Sequence, residues 1–110
     1  MFGDNQYFVN QVKSELFADR VYVYTTKGDI IELPKGATPI DFAYKIHTDI
    51  GNTMVGAFVN DEYVPIDYIL QNKDRVRIVT DELSYGPRED WIEKVKTSHA
   101  KRKIKEFNRK

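Results

Sequence analysis

Residues 21–51 read VYVYTTKGDIIELPKGATPIDFAYKIHTDIG, and this stretch decides the fold of the chain. It opens with β-branched and aromatic residues, is interrupted at Lys27-Gly28-Asp29, and resumes with the apolar run that begins at Ile30. This pattern predicts a β-hairpin that ends at Pro34. A tight turn between the two strands needs a positive φ angle, which Gly28 adopts without steric cost.

A helix is predicted directly after the hairpin. Thr38 can cap the free N–H groups, Pro39 fits the first helical position, and Asp41 can return a hydrogen bond to the cap. Gly51 is predicted to end this helix as its C′ residue. The apolar stripe that faces the sheet has helical spacing and consists of Phe42, Ile46 and Ile50 with Ile40 and Ala43, and His47 lies on its flank.

Three more strands complete the predicted fold. Residues 55–59 and 62–64 flank the turn residues Asn60-Asp61, and residues 75–80 alternate polar and apolar side chains. A hairpin, one capped helix and three further strands in about 60 residues predict an α+β fold, the β-grasp or ubiquitin-like roll. Its mixed sheet packs on one helix, with the first and last strands paired in parallel at the centre.

The sequence patterns of the two flanking segments predict secondary structure less strongly. Residues 1–19 carry apolar side chains at helical spacing and predict a short linker helix before the β-grasp domain of residues 20–81. Residues 82–110 are predicted to form a linker and the basic helical start of a following domain. Because Ile104 and Phe107 cannot hold that helix alone, we expect roughly the last 25 residues to be poorly ordered unless a neighbouring domain is present.

Composition narrows the class of protein. The 110 residues are 41% hydrophobic and 31% charged, which is typical of a globular chain that forms one domain with flanking segments. The absence of cysteine excludes a disulfide framework, thiolate metal ligands and a cysteine nucleophile. No stretch approaches the ~18 apolar residues of a membrane span, and the first ten residues lack a signal-peptide pattern. These features predict a cytoplasmic protein.

The net charge of zero hides an asymmetry between the two ends. Residues 1–87 contain 8 Lys and Arg against 13 Asp and Glu, a net charge of −5, whereas residues 88–110 contain 9 against 4, a net charge of +5. The basic tail has two interpretations, a solvated face or a contact with RNA or an acidic partner, and the sequence leaves both open.

The sequence carries no catalytic or cofactor-binding motif. It lacks the glycine-rich phosphate loops and the G-x-S-x-G elbow, and neither His47 nor His99 has a second ligand at metal spacing. We therefore predict no catalytic residues, no metal and no cofactor. His47 has two interpretations: a half-buried histidine that complements the helix dipole, or a recognition histidine that stacks on a base or donates to a phosphate or ribose.

The string T-P-I-D-F-A-Y-K-I-H, residues 38–47, resembles the TGS domain, which is named for threonyl-tRNA synthetase, a class of GTPases and SpoT. The similarity is strongest to the long RelA/SpoT enzymes of the bacterial stringent response and extends over about residues 15–110. It implies that the chain is a non-catalytic regulatory fragment of a GTP pyrophosphokinase or (p)ppGpp hydrolase, whose catalytic domains lie toward the N-terminus of the longer protein.

The resemblance also implies partners and site residues. In the ribosome-bound state of this family, the domain contacts the 3′ CCA end of a deacylated tRNA and relays this to the catalytic domains. The corresponding histidine is His47, and we add its neighbours Lys45 and Thr48 to the predicted tRNA-binding set. Candidate phosphate contacts follow in the tail at Lys101, Arg102, Lys103 and Lys105.

The tail departs from the family pattern at two positions. Family members often have S-R-A-R where this tail has S-H-A-K, so His99 and Lys101 replace two arginines.

The alternative function is a ubiquitin-like interaction module that binds acyl carrier protein or the catalytic half of its own enzyme.

Overall fold

The computed structural model describes residues 20–109, so the predicted helix within residues 1–19 lies outside the described part of the chain. The strands are β1 (Arg20–Tyr24), β2 (Ile30–Pro34), β3 (Met54–Val59), β4 (Glu62–Val64) and β5 (Val76–Thr80). The helices are α1 (Pro39–Ile46), α2 (Thr48–Thr53), a 3₁₀ helix (Glu89–Lys94) and α3 (Ser98–Asn108). The predicted α+β order is confirmed.

The five strands meet in the order expected for a β-grasp fold. β1 and β2 pair antiparallel, and β3 pairs antiparallel with β4 on one side and β5 on the other. A parallel bridge between Tyr24 and Arg75 joins the two groups. Around it the Tyr24 N–H donates to the Asp74 carbonyl and the Lys73 N–H to the Tyr22 carbonyl, both at 2.8 Å. The predicted parallel contact of first and last strands is present and is confined to this short stretch.

Both predicted hairpin turns use left-handed backbone. Gly28 has φ +91°, while Asn60 and Asp61 have φ values of +53° and +71°. Two consecutive positive φ angles define the turn that matches the twist of the flanking strands. The Asn60 side chain also donates to Asp74 Oδ1 at 2.9 Å and accepts from the Arg75 N–H at 3.0 Å, which ties this turn to the start of β5.

Helix α1 contributes to two groups of buried apolar side chains. Phe42 enters the first group, which consists of Val21, Val23, Leu33, Ala37, Phe42, Val59, Leu70 and Val76. The second group takes three residues of α1 and consists of Ile40, Ala43, Tyr44, Met54, Ala57, Trp91, Val95, Ala100 and Ile104. The sheet packs on this helix as predicted, and α1 has a second neighbour in the C-terminal segment.

The expectation that the last 25 residues are poorly ordered is wrong. Trp91 and Val95 are 7% and 8% exposed, and Ala100 and Ile104 are fully buried against α1. Phe107 lies against Gly86, where a side chain would overlap its ring. The expectation failed because it counted only two apolar residues of the tail, whereas side chains from two consecutive short helices enter the core together.

The predicted single helix from Pro39 to Ile50 is also corrected. The backbone of His47 is extended, with φ −168° and ψ 144°, and it separates α1 from α2. Gly51 does not end a helix, since it lies inside α2, directly beneath the Tyr44 ring. A Cβ atom at Gly51 would overlap that ring, so glycine is required there for close approach.

None of the helices described is long and apolar enough to span a bilayer.

Candidate functional site

His47 forms the junction between α1 and α2. Its N–H donates to the Ala43 carbonyl at 3.1 Å, and its own carbonyl accepts from the N–H groups of Ile50 and Gly51. The Nδ1 atom of the ring accepts from the Asp49 N–H at 3.0 Å and so caps α2. Because Nδ1 is the acceptor, the neutral ring carries its proton on Nε2.

The imidazole of His47 is open to solvent. Its side chain is 64% exposed, and the nearest carboxylate oxygen, Asp49 Oδ2, lies 3.8 Å from Nδ1. The half-buried histidine considered from the sequence is therefore not what the structure contains. The capping role was not predicted, because histidine is not among the preferred N-cap residues and the apolar spacing continues past it to Ile50.

The buried side chain of Tyr44 packs against the junction between α1 and α2. It is 1% exposed, its hydroxyl donates to Asn52 Oδ1 at 2.8 Å, and its ring lies against Gly51. Burial raises the pKa of the Tyr44 phenol above its ordinary value, which keeps the hydroxyl protonated as a donor. The angle between α1 and α2, and with it the position of His47, therefore depends on this one buried ring.

A small cleft opens beside the junction. Its volume is about 230 Å³, and two of its apolar walls are Ile46 and Ile50, which lie on either side of His47 in the sequence, although His47 itself does not line it. The remaining lining residues are Phe42, Val76, Ile78, Thr25, Thr26, Thr80 and Arg77. The cleft thus combines an apolar floor with three threonines and one arginine. Sequence reasoning missed the threonines, since the hairpin and β5 come together here only through the fold.

The other residues of the predicted tRNA-binding set lie in different surroundings. Lys45 is exposed on the last turn of α1, and Thr48 is half-buried on the first turn of α2. Lys45 does not line the cleft beside His47; it lines a groove between the hairpin and α3. Lys45 and its sequence neighbour Ile46 therefore line two different surface features, the groove and the cleft.

The predicted phosphate contacts of the tail lie along α3. Lys101, Arg102 and Lys105 are exposed, whereas Lys103 is partly covered and lies 3.7 Å from a Glu106 oxygen. This charged surface is opposite the buried Ala100 and Ile104 side of the helix. Arg102 Nη2 lies 3.4 Å from Nδ1 of His99, a residue that lines the same groove as Lys45.

The outer face of the sheet carries an aromatic cluster that the sequence did not reveal. The Arg77 guanidinium lies 4.2 Å from the centre of the Phe58 ring, and Tyr63 meets Phe58 edge-on at 5.3 Å and 74°. Tyr63 is 66% exposed. Cross-strand pairing of β3 with both neighbours brings these three side chains together.

Residues 20–109 hold no group of three His, Asp or Glu side chains that could bind a metal ion. The buried carboxylates in this range have structural roles instead. Asp41 and Asp74, the two buried carboxylates in this part of the chain, accept hydrogen bonds from backbone N–H groups.

Comparisons with known proteins identify relatives of the chain. The family model for the TGS domain matches residues 21–80. A GTP pyrophosphokinase of Myxococcus xanthus is 48% identical over 104 residues, which cover 94% of this chain and 14% of the relative. A guanosine-3′,5′-bis(diphosphate) 3′-pyrophosphohydrolase of Aquifex aeolicus is 47% identical over 102 residues, which cover 93% and 14%. The chain therefore spans about one-seventh of the curated relatives it matches.

More distant proteins agree with these matches. A GTP pyrophosphokinase of Escherichia coli is 41% identical over 112 aligned positions, which cover 98% of this chain and 15% of the relative. Among solved structures, a GTP binding protein from Pyrococcus horikoshii superimposes with a TM-score of 0.56 and 31% identity. That match covers 69% of this chain and 25% of the other.

Proposed function

Because this chain belongs to the TGS domain family and matches a short part of long GTP pyrophosphokinases and (p)ppGpp hydrolases, we propose that it is the regulatory module of such an enzyme and binds the 3′ end of a deacylated tRNA. The catalytic domains then lie elsewhere in the longer parent protein. The module passes the bound state to them while the enzyme is engaged with a ribosome.

The observation that supports this proposal is the exposed, anchored ring of His47. Single-stranded RNA ends are recognised by stacking unpaired bases on flat side chains and by hydrogen bonds to their edges. The ring of His47 offers both, since its face is open and the N–H on Nε2 has no acceptor among residues 20–109. Its backbone is fixed by α1 and α2, so little ordering is needed when RNA binds.

The cleft beside His47 gives the RNA end a second contact. Apolar walls from Ile46 and Ile50 suit the flat surface of a base, and the threonine hydroxyls suit its polar edge or a ribose. At about 230 Å³ the cleft is small, so a free 3′ end fits more easily than one esterified to an amino acid. A ligand shifts an equilibrium only by its different affinity for the two states, and this difference would supply it.

The test is a substitution of His47 in the full-length parent enzyme. His47→Asn is the sharpest variant, because asparagine is a good N-cap residue and keeps an acceptor for the Asp49 N–H while removing the ring. Loss of one base-stacking contact costs about 1–3 kcal/mol, so deacylated tRNA should activate the variant with a roughly 5- to 150-fold weaker midpoint.

Controls separate binding from folding. Basal (p)ppGpp synthesis without tRNA should be unchanged, and the melting temperature of the 110-residue chain should stay within about 3 °C. Lys73→Gln, at an exposed turn that does not line the cleft, should respond to tRNA like the wild type. Full activation of His47→Asn at the wild-type tRNA concentration would refute the proposed role of the ring.

The outer face of the sheet favours a second candidate function, docking of a protein. Exposed Tyr63 with the stacked pair of Phe58 and Arg77 has the composition of an interface hot spot. Acyl carrier protein and the catalytic half of the parent are the candidates. In ¹⁵N spectra of the chain, an RNA that ends in CCA should shift amides of residues 47–52 and of β5, which lines the cleft, whereas a protein partner should shift those of β3 and β4.

A further inference from the structure

A second and larger groove lies on the other side of α1. It has a volume of about 670 Å³, within the 300–1,000 Å³ typical of sites for small ligands. One wall is the open end of the β1–β2 hairpin and the other is the segment that leads into α3. The residues that line it are Arg20, Glu32, Leu33, Pro34, Asp41, Lys45, Lys96, Thr97, Ser98 and His99.

This groove exists because the C-terminal segment is bound to α1. Asp41 Oδ2 accepts from the Lys96 N–H at 2.8 Å, and Asp41 Oδ1 accepts from the N–H and hydroxyl of Thr97 at 2.9 Å each. These bonds fix Lys96 and His99 opposite Lys45, although they are about 50 residues apart in the sequence. The sequence-based expectation of a poorly ordered tail could not predict the groove.

The charges of the groove favour an anion. Three of its side chains are cations, namely Arg20, Lys45 and Lys96, against the two carboxylates of Glu32 and Asp41, and the imidazole of His99 adds an N–H donor. Both carboxylates are engaged, since Glu32 lies 3.3 Å from Arg20 and Asp41 is buried among its donors.

The two lysines differ from the other charged groups of the groove. Among residues 20–109, neither the Lys45 nor the Lys96 ammonium forms an ion pair with a carboxylate. Two ammonium groups without a carboxylate partner thus face one cavity.

We propose that this groove binds phosphate groups through Lys45, Lys96 and His99. The inference rests on the proposed function for its preferred ligand, the phosphodiester backbone of the RNA strand whose end reaches His47. Lys45 lies only two residues before His47, so a strand of a few nucleotides is long enough to extend from the end site around α1 to this groove. A free nucleotide presents the same phosphate chemistry and is the other source of ligand.

The experiment uses the ¹⁵N-labelled 110-residue chain, titrated separately with an RNA that ends in CCA and with inorganic pyrophosphate. The test variant is Lys45→Gln combined with Lys96→Gln. The control combines Lys73→Gln with Arg88→Gln, which removes two exposed cations outside both the groove and the cleft and changes the net charge equally. Each titration is repeated at several salt concentrations.

For RNA we expect shifts of the Lys45 amide and of residues 96–99 in the wild type. Each phosphate contact to a single strand contributes about 0.7 to the slope of log K against log salt, so the double variant should lower the slope by about 1.4 and bind roughly tenfold more weakly. The control pair should keep the wild-type slope to within about 0.3.

The other outcomes are equally decisive. Shifts of residues 96–99 by pyrophosphate at lower concentration than by RNA support the phosphate site and identify a free nucleotide as its ligand. His47→Asn should abolish RNA shifts at residues 47–52 and retain those in the groove, which separates the two sites. The phosphate site is overturned when neither probe shifts residues 96–99, or when the test and control pairs behave alike.

Discussion

At the scale of single residues, the arrangement of the candidate site depends on the contact between Tyr44 and Gly51. The ring needs the bare backbone of Gly51 to approach α2, and the hydroxyl then reaches Asn52 at 2.8 Å. A buried hydroxyl that makes such a bond contributes about 1 kcal/mol, and loss of its partner leaves a polar atom unsatisfied. The exposed histidine above it is therefore positioned by buried residues that never meet a ligand.

Tyr44→Phe should reveal this contact through its pH dependence. Near neutral pH the variant should be about 1 kcal/mol less stable than the wild type, because the hydrogen bond to Asn52 is lost. The folded state raises the pKa of Tyr44, so above about pH 10 the unfolded state releases this proton and the folded state retains it. The unfolded state then binds fewer protons, and stability falls as pH rises.

The difference in the free energy of unfolding between the wild type and Tyr44→Phe should therefore shrink by up to about 1.4 kcal/mol for each pH unit above pH 10. Urea unfolding at pH 7 to 11, followed by circular dichroism, measures it. Other tyrosines titrate in both proteins, so only the difference reports on Tyr44. Parallel stability curves over this range would contradict the raised pKa.

At the scale of elements, α1 links the two ends of the described chain. Its first turn holds the C-terminal segment through Asp41, and its last residues carry the candidate site. Asp41 also accepts from the Thr38 N–H at 2.9 Å, so one carboxylate closes the helix cap and anchors Lys96 and Thr97. The Thr38 hydroxyl adds a bond to the Lys94 carbonyl at 3.0 Å.

Asp41→Asn should loosen the C-terminal segment from α1. The amide nitrogen would face backbone N–H donors in place of an oxygen, at a cost of about 2–4 kcal/mol in the free energy of unfolding. Trp91, the only tryptophan, is 7% exposed, so its emission should shift to longer wavelength and amides of residues 96–109 should exchange faster. Asp67→Asn, at an exposed turn, should change stability by less than about 0.5 kcal/mol. Unaltered Trp91 emission in Asp41→Asn would show that apolar packing alone holds the segment.

The elements differ in how far the sequence predicts them. The hairpin around Gly28, the cap at Thr38 and the turn at Asn60 depend on local backbone chemistry, and the structure places each within a residue or two of its predicted position. The break at His47 was missed because apolar spacing continues through it. The packing of α3 was missed because its key bonds join residues 55 and 56 positions apart, which no local pattern encodes.

The features of the candidate site also differ in how far the sequence predicts them. A resemblance between short ordered strings predicted His47 as a candidate site residue, and the structure shows that its ring is accessible. The cleft beside it and the groove that contains Lys45 are products of tertiary packing. Individual side chains were therefore easier to predict than the surfaces they form.

At the scale of the whole molecule, the packed unit extends beyond the family match. The TGS model ends at residue 80, yet four of the nine residues in the second core group, Trp91, Val95, Ala100 and Ile104, follow it. Within the described residues, the basic segment 88–109 has a net charge of +4, from 8 Lys and Arg against 4 Asp and Glu, and packs on residues 20–87, whose net charge is −3, from 7 against 10. The division predicted at residue 81 thus separates two parts that share one core.

Removal of residues 88–110 should consequently destabilise what remains. Burial of a large apolar side chain contributes about 1.5–3 kcal/mol, so loss of Trp91, Val95 and Ile104 outweighs the chain entropy regained and should cost at least about 3 kcal/mol. For a domain of this size that corresponds to a melting temperature lower by roughly 12–24 °C in calorimetry. A chain that ends at Asn108 keeps the buried residues and should melt like the full chain. Equal melting of the chain that ends at residue 87 would instead make residues 20–81 an independent domain, with the basic segment as an accessory that only completes the groove.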